Sequence, residues 1–236
     1  MVYIQSNKDK THPHHFDCAC AMYGAWDSAL DIKFVTFEEL QEGKYDLYLK
    51  KRLFVGSAEF MSEVFKRLNI TNAKVPNNSN RIHEKITLEQ AWDRAALGEK
   101  IFIKPFEIKK FTGFVLDQMQ YACLNGLSRD TVVMAYKPFE HKIVSEWRLY
   151  VYKNEIIDSR NYSGDFMINP DYHYAKEIVN TNKGAFPVAY TLDMGVLENF
   201  ENVVIEFNDM WAIGNYGMPN DLYLRLLTHR YFELVK

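Results

Sequence analysis

The stretch Val203-Val204-Ile205-Glu206-Phe207-Asn208-Asp209 decides how this chain is read. Three consecutive apolar β-formers lead into a carboxylate and an amide two residues apart. Side chains alternate along an extended strand, so Glu206 and Asn208 face the same side and offer three oxygen atoms to one point. Hard cations such as magnesium take oxygen ligands of this kind, with water and phosphate oxygens completing the shell. Asp193 lies thirteen residues before Glu206, on the run Tyr190-Thr191-Leu192-Asp193. If the two runs pair across the polar turn Glu198 to Asn202, Asp193 comes alongside as a third ligand. On its own, a Glu-x-Asn at a strand end is most often just solvated polar surface.

Composition bounds what surrounds that stretch. The chain has 236 residues, 47% apolar and 25% charged, which suits one large domain or two small ones with a sizeable core. These fractions exclude disordered, collagenous and coiled-coil classes. No apolar run approaches the roughly 18 residues of a membrane span. Met1 to Gln5 is soon followed by Lys8, Asp9, Lys10 and a His-rich stretch, so no signal peptide is expected. Three cysteines, an odd number, suit a reducing cytoplasm, and a cytoplasmic location is the expectation. A net charge of −3 is too balanced to advertise nucleic acid or an anionic membrane.

Two capping boxes mark helix starts, at Thr36-Phe37-Glu38-Glu39 and Thr87-Leu88-Glu89-Gln90, with Gly43 and Gly98 as terminators. Tyr45 to Leu49 alternates and reads as a strand. Phe60, Met61, Val64, Phe65 and Leu68 follow helical spacing, predicting a helix over Ser57 to Asn69. The turn-rich Val75 to Asn80 reads as a connector. Beyond it, Ile101 to Ile103, Thr131 to Tyr136 and a hairpin about Lys153-Asn154 predict strands. Tyr172 to Val179 and Asp221 to Leu234 predict helices. The grouping is α+β, mostly antiparallel after residue 100.

Two further constellations carry possible chemistry. Lys104 emerges from the apolar strand Ile101-Phe102-Ile103, a position that costs burial energy unless an anion meets it. Lys109-Lys110-Phe111-Thr112-Gly113 follows and could hold phosphate with cations and backbone donors, or could be a solvated hairpin. In Ser145-Glu146-Trp147-Arg148, Glu146 and Arg148 share a face, so Arg148 could clamp a terminal phosphate while Glu146 orients it. An ordinary cross-strand pair is the equal alternative.

In this order the motifs resemble the ATP-grasp superfamily over about residues 85 to 217, closest to its short members with Ser-Glu-Trp-Arg, Tyr-x-Gly (Tyr162-Ser163-Gly164) and Glu-x-Asn-Asp-x-Trp segments. The resemblance implies an ATP-grasp fold: an N-terminal α/β lobe over 1–80, a small α+β subdomain over 81–140 and a large one over 141–236, the last two enclosing ATP. It implies that Lys104 contacts the nucleotide and that the Lys109, Lys110, Thr112, Gly113 loop covers its phosphates. It implies an adenine hinge at Ala135, Tyr136 and Lys137, with Glu140 toward the ribose. Arg148, with Glu146, would stabilise charge on the terminal phosphate, and Asp193, Glu206 and Asn208 would hold Mg2+. One loop glycine, and Met134 and Ala135 entering the hinge, depart from the family pattern.

The implied activity is ADP-forming ligation, with ATP activating a small-molecule or peptide carboxylate as an acylphosphate for attack by an amine. A kinase or ligase acting on a nucleic-acid end, and a non-catalytic nucleotide-binding module, are the alternatives. His12-Pro13-His14-His15-Phe16-Asp17-Cys18-Ala19-Cys20 invites a metal reading but matches no zinc spacing; a loop leading into buried cysteines is expected there. Trp211, Tyr162 and Tyr216 fall, by the resemblance, near the metal end.

Overall fold

A computed structural model describes residues 1–73, 75–76, 83–106, 111–116 and 126–236. The chain forms two compact units, Met1–Ser79 with Ile143–Lys236, and Asn80–Lys142. The first unit holds two sheets. Short apolar strands β1 (Val2–Gln5), β2 (Ile32–Val35) and β3 (Leu53–Val55) pair in parallel in the order β2-β1-β3. Parallel pairing needs crossovers, which α1 (Phe16–Asp27) and α2 (Phe37–Gln41) supply, and α3 (Ala58–Arg67) follows β3. The capping box predicted at Thr36 is present: Thr36 accepts from the Glu39 amide, and the Glu39 side chain accepts from the Thr36 amide. Phe60, Met61, Val64 and Phe65 are buried, as the spacing of α3 predicts.

Two expectations in this region are corrected. Tyr45 to Leu49 is not a strand; Asp46–Tyr48 forms a 3-10 turn. Tyr45 and Leu49 both face the core, 6% and 1% exposed, while Leu47 between them is 81% exposed. The two buried residues are one helical turn apart, a spacing that five residues cannot distinguish from alternation. Cys18 and Cys20, expected behind a loop, lie inside α1. That helix starts at His15 without a side-chain cap, so the usual start signal is missing.

Residues 143–236 build the second sheet of the first unit, antiparallel in the order β11-β10-β8-β9, from β8 (Ile143–Tyr152), β9 (Glu155–Gly164), β10 (Ala189–Leu197) and β11 (Asn202–Asp209). The helices α5 (Tyr172–Thr181) and α6 (Asn220–Leu234) occupy the predicted places. One face of this sheet is apolar: Trp147, Leu149, Val151, Tyr190, Leu192 and Met194 pack with Ala175 and Val179 of α5. The other joins the N-terminal residues in one core, with Tyr150 and Ala189 buried among Val2, Ile4, Phe54, Leu226 and Tyr231. Helices α1 and α6 meet closely at Gly24, where a Cβ would lie 2.2 Å from the Asn220 carbonyl oxygen. No side chain fits there.

The second unit is an antiparallel sheet in the order β4-β7-β5-β6, from β4 (His83–Thr87), β5 (Ile101–Pro105), β6 (Phe114–Leu116) and β7 (Val132–Tyr136). Leu88, Ala91 and Ala95 of α4 (Leu88–Ala96) pack on Ile101, Ile103, Leu116, Val133 and Ala135. The second predicted capping box, Thr87 with Gln90, is formed.

Candidate active site

Alternation on the large antiparallel sheet sorts its residues into two sets. Leu149 and Trp147 of β8 point to the apolar face, so Arg148 and Tyr150 point to the other. Leu192 and Met194 likewise leave Thr191 and Asp193 on the polar face. On β11 strict alternation would put Val204 and Glu206 together. A bulge prevents this: Asp193 pairs with Glu206 but Met194 with Val204, leaving Ile205 as the extra residue. Val204 therefore joins the apolar core while Glu206 turns to Asp193, a change of aim that bulges commonly provide. A second bulge makes Tyr162 the extra residue of β9, between the pairs Trp147–Asn161 and Glu146–Ser163.

The polar face thus gathers Arg148, Asp193, Glu206 and Asn208, with Glu146 and Tyr162 beside them. Asp193 is 1% and Arg148 6% exposed. They form a bidentate ion pair, Nε to Oδ1 at 2.8 Å and Nη2 to Oδ2 at 2.6 Å. The Asn208 Nδ2 amide donates to Asp193 Oδ2 and to Glu206 Oε1, both at 3.1 Å. Glu146 accepts a 2.9 Å hydrogen bond from the Tyr162 hydroxyl. Burial, with Asp193 and Glu146 nearby, raises the Tyr162 pKa well above its ordinary value, so the phenol stays a donor. Burial pushes the Asp193 carboxyl up, against the opposing hydrogen bonds and charge of Arg148. For Arg148, burial alone would act downward, but the contact with Asp193 outweighs it and keeps the guanidinium charged.

Two tyrosines cover the arginine. The rings of Tyr162 and Tyr216 stack at 5.2 Å and 18°. The Arg148 guanidinium carbon lies 4.9 Å from the Tyr216 ring centre and 5.7 Å from that of Tyr162, within cation–π range. Tyr216 sits at φ 47° in a turn that also holds Ala212 at φ 49° and Gly217 at φ 86°. Gly214 makes room for it, since a Cβ there would be 3.2 Å from Tyr216 Cζ. Trp211, in the same segment, is anchored instead by its indole donating to the Ala73 carbonyl at 2.7 Å.

Among the described residues no group of three His, Cys, Asp or Glu side chains gathers around one point. The donor set on this face is two carboxylates and one amide. Both carboxylates converge on the Asn208 amide group, whose hydrogens meet the negative charge that a cation would otherwise meet. Such a set fits magnesium, which takes one or two carboxylates and keeps positions for water and phosphate oxygens.

The remaining sequence-derived candidates lie on the second unit. Lys104 is the fourth residue of β5, its Nζ 5.2 Å from the Tyr136 ring centre. Thr112 is exposed and Gly113 packs against Phe102 and Lys104, where a Cβ would be 2.8 Å from Phe102 Cζ. Lys109 and Lys110 lie outside the described residues. Ala135 pairs with Glu84 on one side and Ile103 on the other, and Tyr136 with His83 and Phe102. Of the three hinge candidates, Lys137 alone is past the strand end. Glu140 pairs with Lys137 at 3.5 Å, both side chains largely exposed.

Three pairings were not visible in the sequence: Arg148 with Asp193, Arg160 with Asp158 (Nη2 to Oδ2, 2.9 Å) and Arg230 with Asp209 (Nη2 to Oδ2, 2.6 Å). The Asp158-x-Arg160 spacing was the one local signal. The His12–Cys20 stretch contributes to no metal-ligating group among the described residues. Burial pushes the Cys18 thiol up to about 12 and the Cys20 thiol up to about 11, and metal binding needs thiolates. Iodoacetamide at about pH 8 is therefore expected to leave both unlabelled in the native protein and to label both in urea, as read by peptide mass spectrometry. Native labelling at Cys18 would contradict this burial.

Residues 80–226 match a family model described as an ATP-grasp domain, the second family of its clade. Solved structures with a similar fold include D-alanine–D-alanine ligase from Bacillus anthracis complexed with ATP (10% identity, 99% of this chain and 97% of that one, TM-score 0.53). A RimK domain ATP-grasp protein from Sphaerobacter thermophilus is similar at 10% identity, 97% and 99% coverage and TM-score 0.52. The ATP-grasp ligase PsnB complexed with precursor peptide PsnA2 and AMPPNP is similar at 10% identity, 100% and 97% coverage and TM-score 0.50. No curated protein matches the chain significantly.

Proposed function

The chain belongs to the ATP-grasp domain family whose model it matches, and from that premise we propose that it is an ATP- and magnesium-dependent ligase joining a carboxylate to an amine. One observation carries the reading: the buried Arg148–Asp193 ion pair and the Asp193–Asn208–Glu206 cluster share one sheet face. A cation and a carboxylate–amide set held together are what transfer of a phosphoryl group requires. Magnesium, held by Asp193, Glu206 and Asn208, supplies positive charge to the terminal phosphates.

Arg148 is fixed on two nitrogens by Asp193, which leaves Nη1 for an anion. This preorganised charge is proposed to stabilise the phosphate being transferred, with no reorientation at the moment of reaction. Glu146 and Tyr162 orient the incoming carboxylate group or its partner. The carboxylate takes the terminal phosphoryl group of ATP, ADP leaves, and the amine then displaces phosphate. Lys104, Thr112 and Gly113 are the proposed nucleotide contacts of the second unit, with Lys137 for the adenine and Glu140 for the ribose. The acceptor class is a small molecule or a peptide; the likeness to the peptide-bound PsnB structure supports the latter. Among the described residues no helix is long and apolar enough to cross a membrane.

ATP with Mg2+ is expected to raise the melting temperature, and Asn208→Ala to abolish most of that rise while leaving the unliganded melt within a few degrees. Absence of any rise in the intact protein would sink the nucleotide reading. ADP release on adding a mixed carboxylate and amine pool supports ligation; AMP release, or binding without either product, contradicts it.

A further inference from the structure

The motif that carries no metal, His12 to Cys20, reaches the candidate site by another route. Asp17 lies in the first turn of α1, 198 residues from Asn215, and its Oδ1 accepts the Asn215 backbone amide at 2.8 Å. Asn215 is 1% exposed. Its own side chain closes the turn around it: Oδ1 accepts from the Gly217 amide at 2.8 Å and Nδ2 donates to the Met218 carbonyl at 3.0 Å. From the sheet side the Tyr150 hydroxyl bonds the Gly214 and Asn215 carbonyls at 2.7 and 2.8 Å. The Tyr223 hydroxyl donates to the Ile213 carbonyl.

These bonds act on a segment that would not hold its shape alone. Ala212 and Tyr216 occupy the left-handed region, which costs a non-glycine residue free energy and persists only when neighbours over-determine it. The consequence of that conformation is the stack of Tyr216 on Tyr162 and over Arg148. A Cβ on Gly214 would lie 3.5 Å from Arg148 Nη1, so the turn also borders the one guanidinium nitrogen that Asp193 leaves open.

We propose that Asp17 is a positioning residue for this site: its carboxylate, held by α1, fixes the 212–217 turn that sets Tyr216 over Arg148. The role needs a hydrogen-bond acceptor, not a charge. It also assigns the N-terminal residues a part in the chemistry, since α1 supplies the acceptor for a turn of the C-terminal segment. The nucleotide readout below rests on the reading of Arg148 as a phosphate contact; the spectroscopic one does not.

Two variants separate the possibilities. Asp17→Ala removes the acceptor, whereas Asp17→Asn keeps an oxygen in the same place without the charge. Tyr216→Ala supplies the reference for losing the stack, read as the change in the near-ultraviolet circular dichroism of the tyrosines. Asp17→Ala is expected to reproduce that change, and Asp17→Asn to retain the wild-type spectrum. With Mg2+ present, Asp17→Ala is also expected to lose about tenfold in its preference for ATP over ADP, with ADP affinity kept within about twofold. Asp17→Asn is expected to restore the preference, an outcome that a general loss of stability does not produce. A wild-type spectrum for Asp17→Ala overturns the proposal, as does an Asp17→Asn protein as impaired as Asp17→Ala. A wild-type protein that does not prefer ATP to ADP contradicts the phosphate reading of Arg148 instead, and the spectra still decide Asp17.

Discussion

Replacing Asp193 with alanine is expected to lower the free energy of unfolding by about 3–5 kcal/mol, the cost of leaving one member of a buried ion pair uncompensated. The guanidinium it strands is 7% exposed at the side chain. An arginine cannot escape by giving up its proton, because its pKa stays above about 12 even when burial opposes the charge. The two tyrosine faces that remain, at 4.9 and 5.7 Å, return only part of the loss, since a cation–π contact contributes about 0.5–2 kcal/mol. Asn208 loses an acceptor as well, keeping Glu206 alone. Urea unfolding of the variant, with unchanged denaturant dependence as the sign that the end states are comparable, measures the difference. A loss below about 1 kcal/mol would show that water or Glu206 reaches Arg148, and that the pair is less sealed than its exposure indicates.

The parts of this site that are local in sequence were legible there. Glu206 and Asn208 share a face because they are two apart on a strand, and Asp193 reaches them because a short turn joins β10 to β11. The capping boxes at Thr36 and Thr87 were legible for the same reason, each being closed within four residues. What depends on register was not. Glu146 and Arg148 do share a face, yet the arginine's partner is Asp193, 45 residues away. That pairing follows from how β8 sits on β10, which is set by the apolar face that Leu149 and Leu192 share with α5. Nothing in Val203-Val204-Ile205 marks Ile205 as the extra residue, because all three are apolar β-formers and the bulge is decided by what β10 offers opposite them. Asp17 was illegible for a further reason. Its partner is a backbone amide, which every non-proline residue carries, so no side-chain pattern at Asn215 announces it.

Arg148→Met is expected to separate the two roles of the pair, because the group it strands can neutralise itself. Without the arginine, burial still raises the Asp193 pKa and the opposing influence is gone. The native carboxyl then binds its proton more tightly than the unfolded chain, whose aspartates titrate near about 3.9. The folded state holds more protons, so the protonated carboxyl's contribution is complete below about pH 4 and is lost as the pH rises through the folded pKa. The urea midpoint of Arg148→Met should therefore fall, relative to wild type, between about pH 5 and pH 8, and at about pH 5 it should exceed that of Asp193→Ala. A flat difference across that range would mean that Asp193 finds another cation. The double variant Arg148→Met, Asp193→Leu removes both charges and fills the space with apolar atoms, a change that is often neutral or stabilising for a buried pair. Its stability should return to within about 1–2 kcal/mol of wild type while ATP turnover stays down by at least about 10²–10³-fold, the effect of losing one preorganised donor to transition-state charge. Restored stability with turnover within tenfold of wild type would assign the pair to the fold alone. Restored stability without turnover leaves the phosphate chemistry as the reason for a buried arginine where leucine and methionine would serve the core.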